Sequence, residues 1–226
     1  DGGVEGKGHS EVGNLVLSPD GKRIMYSAEQ NGRRFVVVDG TVGKEYDMVT
    51  SLSFSPDGRR TAYVAVQDGK WFLVLDDQEQ KQYDVVTSLV ISPDSKRVAY
   101  GAQVNENSLA VVDGTETPAH DGVLEGSIRF SADSRHVAYQ AEIHDEFFMV
   151  LDGKEGKHYD AILASTIMFS PDGSHLVYVA EKEGKRLVVT GETEGIAFDY
   201  VFTPVYSPNG KRLAYTAQQR DRFFVV

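Results

Sequence analysis

Five adjacent pairs join an aromatic or imidazole ring to a carboxylate: Tyr46-Asp47, Tyr83-Asp84, His120-Asp121, Tyr159-Asp160 and Phe198-Asp199. They recur at intervals of 37, 37, 39 and 39 residues, and His9-Ser10 stands at the same phase before the first. Ring faces and carboxylates gathered at one mouth could bind a cationic or hydrogen-bonding ligand. The competing reading is architectural. An Asp ahead of a strand can accept backbone N–H bonds, and the ring beside it can pack under its loop. Repetition favours architecture, because a structural need recurs in every repeat whereas a binding site breaks symmetry. Arg129 breaks it, standing where the other repeats carry Val16, Ser53, Val90, Met168 and Val205. Pointed into a channel, Arg129 would be an anion anchor; otherwise it pairs with a neighbouring acid.

Other chemistry is scarce. There is no Cys, which excludes thiolate nucleophiles, thiolate metal sites and disulfides. The six His form neither His-x-His nor His-Glu-x-x-His, so no metal site is readable and no cofactor is expected. No Gly-x-Ser-x-Gly elbow is present. The formal charge of −11 makes nucleic-acid backbones and anionic membranes unsuitable partners. No apolar run approaches the roughly 18–20 residues of a transmembrane helix, so membrane insertion is not expected.

The elements that would position these groups follow from a repeat. Turns of the Ser-Pro-Asp-Gly type begin at Ser18, Ser55, Ser92, Ser131, Ser170 and Ser207, spaced 37, 37, 39, 39 and 37 residues apart. Eight residues after each Ser comes a Tyr (Tyr26, Tyr63, Tyr100, Tyr139, Tyr178, Tyr215), and ten residues after it an Ala (Ala28, Ala65, Ala102, Ala141, Ala180, Ala217). Around each turn lie apolar runs of four to six residues, rich in Val, Ile and aromatics and bounded by Gly, Asp and Asn. That is the signature of strands. No segment sustains a helical period, so almost no helix is expected. Four short strands per repeat, six times over, predict an all-β, six-bladed β-propeller spanning residues 1–226 as one domain. The Tyr and Ala share one face of the second strand and would interlock neighbouring blades. The chain ends Phe223-Phe224-Val225-Val226 and begins Asp1-Gly2. Joined, these regenerate the internal Val-Val-Asp-Gly motif, so an N-terminal strand is expected to close the ring on the C-terminal blade.

The turn followed by Lys/Arg-x-x-Ala-Tyr resembles the PD40 or TolB-type repeat, a WD40-like propeller family, over the whole chain. The Gly-His and Trp-Asp dipeptides of true WD40 repeats are missing. The resemblance implies a periplasmic or cell-surface setting and a binding or scaffolding role with a protein partner; it carries no catalytic residues. Ala132 and Ser134 in the fourth repeat and Asn209 in the sixth depart from the turn pattern, so the turn geometry is not expected to carry over there.

Propeller topology sorts the loops by face. The turn face carries basic residues such as Arg23, Arg60 and Arg97, read as solvated strand ends. The blade-to-blade crossovers carry the ring–carboxylate pairs and the neighbouring acids Asp68, Glu106, Asp145, Glu183 and Asp221. The expected function is a non-catalytic module for protein–protein recognition or scaffolding, using the crossover face around the central funnel. Its candidate contact residues are Tyr46, Asp47, Tyr83, Asp84, His120, Asp121, Arg129, Tyr159, Asp160 and Asp199. Two alternatives stand beside it: a small ligand or cation in the funnel, and a hydrolase or lyase whose site is dispersed over several blades.

Overall fold

The computed structural model describes residues 9–226. Strands form where the β-branched and aromatic runs lie, and each run is cut by a tight turn. The second strands are Ile24–Gln30, Thr61–Gln67, Val98–Val104, Val137–Ile143 and Leu176–Lys182. The third are Arg33–Val38, Lys70–Leu75, Asn107–Val112, Glu146–Leu151 and Lys185–Thr190. Two-residue hairpins join them, with Asn31, Asp68, Asn105, His144 and Glu183 in the left-handed region that a primed turn requires. Two-residue fourth strands such as Thr41–Val42 and Gln78–Glu79 complete the sheets. The first three repeats are antiparallel four-stranded sheets. The only helical element among the described residues is a single 3-10 turn, Ala164–Thr166.

The first strands Glu11–Leu17, Met48–Phe54 and Val85–Ile91 each carry a register shift, with Ser51 and Ser88 at positive φ. In the fourth and fifth repeats two extra residues interrupt this strand, giving Gly122–Val123 with Arg129–Phe130 and Ala161–Ile162 with Met168–Phe169. The inserted loops are tied inward. The Ser127 hydroxyl donates to the Leu124 carbonyl and accepts from Gln140 N–H; Thr166 does the same with Leu163 and Val179. The last repeat is split into a three-stranded sheet (Tyr200–Val201, Thr216–Gln219, Arg222–Val225) and a two-stranded one (Val205–Tyr206, Leu213–Ala214).

Consecutive sheets pack face to face in chain order, and the Tyr–Ala face is the one laid on the preceding sheet. Tyr63 and Ala65 pack against Met25 and Val36, and Tyr100 and Ala102 against Ala62 and Val64. Tyr178 and Ala180 meet Ala138 and Met149 in the same way. A large ring beside a small methyl lets the next sheet approach closely, and nearly all these side chains are fully buried. Ring closure does not appear. Among the described residues, no strand pairing and no shared apolar cluster join the last repeat to the first. The expected closing strand at Asp1-Gly2 lies outside the described residues.

One hydrogen-bond pattern builds every turn. The Ser18 hydroxyl donates to Asp20 Oδ1 at 2.7 Å and accepts from Arg23 N–H at 2.9 Å, while Lys22 N–H donates to the same Asp oxygen. The pattern repeats at Ser55, Ser92, Ser131, Ser170 and Ser207. The expected departures do not alter it. Asn209 Oδ1 accepts the same two bonds, and Ser95 and Ser134 adopt the positive φ that Gly takes elsewhere. Their hydroxyls then accept from Asp57 N–H and Asp94 N–H of the preceding turn, at 3.0 and 2.9 Å. The basic residues of this face are cross-links rather than merely solvated ends. Arg97 holds Asp113 at 2.8 Å and donates to the Ser134 and Arg135 carbonyls of the next turn; Arg23 does likewise with Asp39 and the Gly58 and Arg59 carbonyls.

The Ser hydroxyls and turn N–H groups hold Asp20, Asp57, Asp94 and Asp133 below the usual carboxylate range, and Asp172 at about 2. The folded chain therefore binds fewer protons at these sites than the unfolded chain. Their stabilisation is complete above pH about 4 and is lost as pH falls through the folded values. Two outcomes are expected in thermal melts. Replacing the buried Ser55 by Ala costs about 1–2 kcal/mol at neutral pH, because Arg60 N–H loses its acceptor. Asp172→Asn, which reproduces the Asn209 turn, makes the loss of melting temperature between pH 4 and 2 shallower.

Candidate functional site

The crossover residues predicted to line a binding mouth divide into two layers. The rings are the inner layer, and each is strapped to the sheet before it. Tyr46 exchanges backbone bonds with Arg34 at 2.7 and 2.9 Å, and Tyr83, His120, Tyr159 and Phe198 do the same with Trp71, Ser108, Phe147 and Arg186. The strap pushes the ring into the contact between sheets. There it meets the repeat Tyr edge-on or tilted, with centroids 6.1–6.5 Å apart from Tyr46–Tyr63 through Phe198–Tyr215. His9 sits on Tyr26 and Phe35 in the same manner. Tyr46, Tyr83, His120 and Tyr159 are thus buried and present no ring face to a ligand. This corrects the expectation that they form a contact surface: the strand-like backbone bonds leave the ring no outward direction.

The carboxylates form the outer layer. One oxygen of each accepts the first N–H of the hairpin between the second and third strands of its own repeat. Asp47 binds Asp68 N, Asp84 binds Asn105 N, Asp121 binds His144 N, Asp160 binds Glu183 N and Asp199 binds Arg220 N, all at 2.5–2.7 Å. In three of them the other oxygen holds a base from the preceding sheet: Arg33 on Asp47, Lys70 on Asp84 and Lys185 on Asp199. The paired Lys and the turn N–H hold Asp84 and Asp199 below the usual range. Arg129 lies exposed and donates to the Gly126 and Ile128 carbonyls of its own loop, at 2.5 and 2.9 Å, so it pairs with backbone rather than with an acid.

The outer rim holds a polar relay that the sequence reading missed. Lys44 and the Tyr46 hydroxyl both bond Glu79, and Lys157 and Tyr159 converge on Glu194. Glu79, Glu116, Glu155 and Glu194 recur at the repeat spacing, and that recurrence was the available signal. Burial raises the Tyr46 and Tyr159 hydroxyls far above their ordinary value, and Tyr178 to about 12, so all three stay protonated donors. Clefts open beside this relay between adjacent sheets. The largest, about 740 Å³, is lined by Asp39, Lys44, Tyr46, Tyr63, Asp77 and Glu79 among others. Among the described residues, no cluster of His, Asp and Glu has the form of a metal site.

The third crossover breaks the relay. His120 is too short to supply the hydroxyl, and its Nδ1 stands 3.9 Å from Glu155. Its Nε2, the Tyr139 hydroxyl and Gln140 Oε1 are buried with no hydrogen-bond partner.

No family model matches the chain, and no curated protein matches its sequence. Solved structures do. The β-propeller domain of the Trilobed protease from Pyrococcus furiosus, described as an open velcro topology, aligns with a TM-score of 0.51 at 12% identity, over 95% of this chain and 79% of that one. TolB from Acinetobacter baumannii aligns at a TM-score of 0.43 and 14% identity, and acylaminoacyl peptidase from Pyrococcus horikoshii at 0.46 and 11%. Each covers 95% of this chain, which spans 59% and 44% of those two proteins. The likeness places the chain in the β-propeller fold class. At these identities it speaks to fold alone.

Burial holds His120 below its ordinary value near 6.5. The folded state keeps it neutral, while the unfolded chain takes up a proton. Stability is therefore full above pH about 6.5 and is lost as pH falls toward the folded value. His120→Tyr restores a hydroxyl between Tyr139 and Glu155. It is expected to raise stability by about 1 kcal/mol and to flatten the melting-temperature profile between pH 7 and 5, read by calorimetry.

Proposed function

We propose that the chain is a six-bladed propeller module of the PD40/TolB-type kind. It binds a basic segment of a protein partner on its crossover face and performs no chemistry there. One arrangement carries this reading: the crossover carboxylates fix the hairpin tips, and the tips carry the free acid. Asp68, Glu106, Asp145, Glu183 and Asp221 are exposed, one per hairpin in the second to sixth repeats, and no ion pair among the described residues involves them. The bases nearest them are committed to the crossover carboxylates one layer below. A row of charges held on rigid turns loses little conformational freedom on binding, and it steers a partner of opposite charge. The overall charge of −11 acts in the same direction at longer range.

The test separates the two carboxylate layers. A Lys-rich peptide is titrated by calorimetry against the wild type and against the combined variant Asp68→Asn, Glu106→Gln, Asp145→Asn, Glu183→Gln. The variant is expected to bind roughly tenfold more weakly, about 1.4 kcal/mol, with an unchanged melting temperature and a weaker salt dependence. Asp84→Asn, which touches the lower layer, is expected to lower the melting temperature instead. Equal affinity of wild type and tip variant at low salt would overturn the proposal.

A further inference from the structure

The sheet-to-sheet contact has two unlike halves, and the chain makes it between successive repeats. The forward half is the face holding Met25 and Val36, or Val177 and Val188, in each repeat. The backward half is the Tyr–Ala face with the inner-strand residues beside it, such as Val49 and Phe54. At the two ends of the array each half is left over once.

In the first repeat, Val12 opposes Ala28, Leu15 opposes Tyr26 and Leu17 opposes Ile24, so all three lie on the backward face. They are 55%, 58% and 57% exposed, whereas Val49 and Phe54, their counterparts one repeat later, are 5% and 8% exposed. In the last repeat, Val205 opposes Ala214, Val225 opposes Thr216 and Phe223 opposes Gln218, which places them on the forward face. They are 60%, 83% and 64% exposed, whereas Val36 and Val188, the counterparts of Val225, are 2% and 3% exposed. Two apolar strips are therefore open, and each has the chemistry that its opposite number buries elsewhere in the same chain.

We infer that these strips are an association surface and that the occupant is a second copy of the chain. The forward face of one copy's last repeat docks on the backward face of the next copy's first repeat. The contact continues a packing mode the protein already uses internally, so both partner surfaces are on the page. Because the halves are unlike, the contact is heterologous: it runs head to tail, and each copy keeps one free end.

That polarity supplies the test. One variant, Leu15→Glu with Leu17→Glu, blocks the backward face; another, Phe223→Glu with Val225→Glu, blocks the forward face. Light scattering after size exclusion is run from 5 to 500 µM. The wild type is expected to grow in mass with concentration. Each variant alone stays at monomer mass. An equimolar mixture forms a dimer and nothing larger, because each variant keeps the half the other has lost. Melting curves establish that the variants fold; if a Glu pair melts early, Leu15→Ser and Val225→Ser take its place. A wild type that remains monomeric throughout overturns the inference, since the two strips then close on one another within a chain or stay solvated. A mixture that does not associate overturns it equally, because the growth would not be head to tail.

Discussion

The structure depends on how a two-faced sheet buries its second face. A sheet of four short strands has one apolar surface on each side, and no single repeat covers both. The crossover ring solves this locally. It is bonded through its backbone to the third strand of one sheet and packed against the conserved-phase Tyr of the next, so it belongs to two sheets at once. Once the ring is seated, the order of sheets, the sense of packing and the position of every crossover loop follow. Deep burial of rings such as Tyr46 and Tyr159 also explains why their hydroxyls titrate far above the usual range while donating to rim carboxylates. The donor is kept because the anion it would become has no solvation there.

Two polar systems at opposite ends of the sheets then hold what the rings have placed. At the turn end, Ser, Asp and Arg or Lys side chains knit each turn to itself and to the following one. At the crossover end, an Asp joins its own hairpin to the sheet before. Both use charged groups at partial exposure, where a lone ion pair contributes little. What counts here is the backbone N–H and C=O groups they satisfy, since those groups lie in turns with no ladder partner. The Gly-to-Ser exchanges at Ser95 and Ser134 make the point. Each accepts a positive φ that Gly tolerates better, and each gains a hydroxyl bond to the neighbouring turn.

Much of this was legible in the sequence because it is local. The Ser-Pro-Asp turns, the strand runs and the shared face of Tyr and Ala follow from spacing alone, and the structure places them as read. The crossover pairs were legible as residues but not as roles. An aromatic next to a carboxylate reads equally as a binding mouth and as a strap with a cap. Only the backbone bonds of Tyr46 and the N–H held by Asp47 decide between them, and those are tertiary facts. Arg129 likewise could be flagged as odd, yet its loop carbonyls came close only because two inserted residues reshaped the strand before it. Closure was the least local expectation. It required two chain ends to meet, and the end faces instead stand open.

Repetition also changes how function should be sought in such a protein. A residue present in every repeat is explained first by what every repeat needs, and the rings and crossover Asp residues are fully used that way. The positions left over carry more information. His120 occupies a Tyr position without its hydroxyl and strands two buried polar atoms, a cost that folding alone gives no reason to keep. The hairpin tips differ from one another in sequence but share a carboxylate within the turn or beside it, although the turn itself is equally satisfied by Asn31 and Gly32 in the first repeat. Acid at the tips is therefore not a requirement of the hairpin. A charge that the local structure does not need, held rigid by one that it does, is the feature of this fold most directly available to a partner.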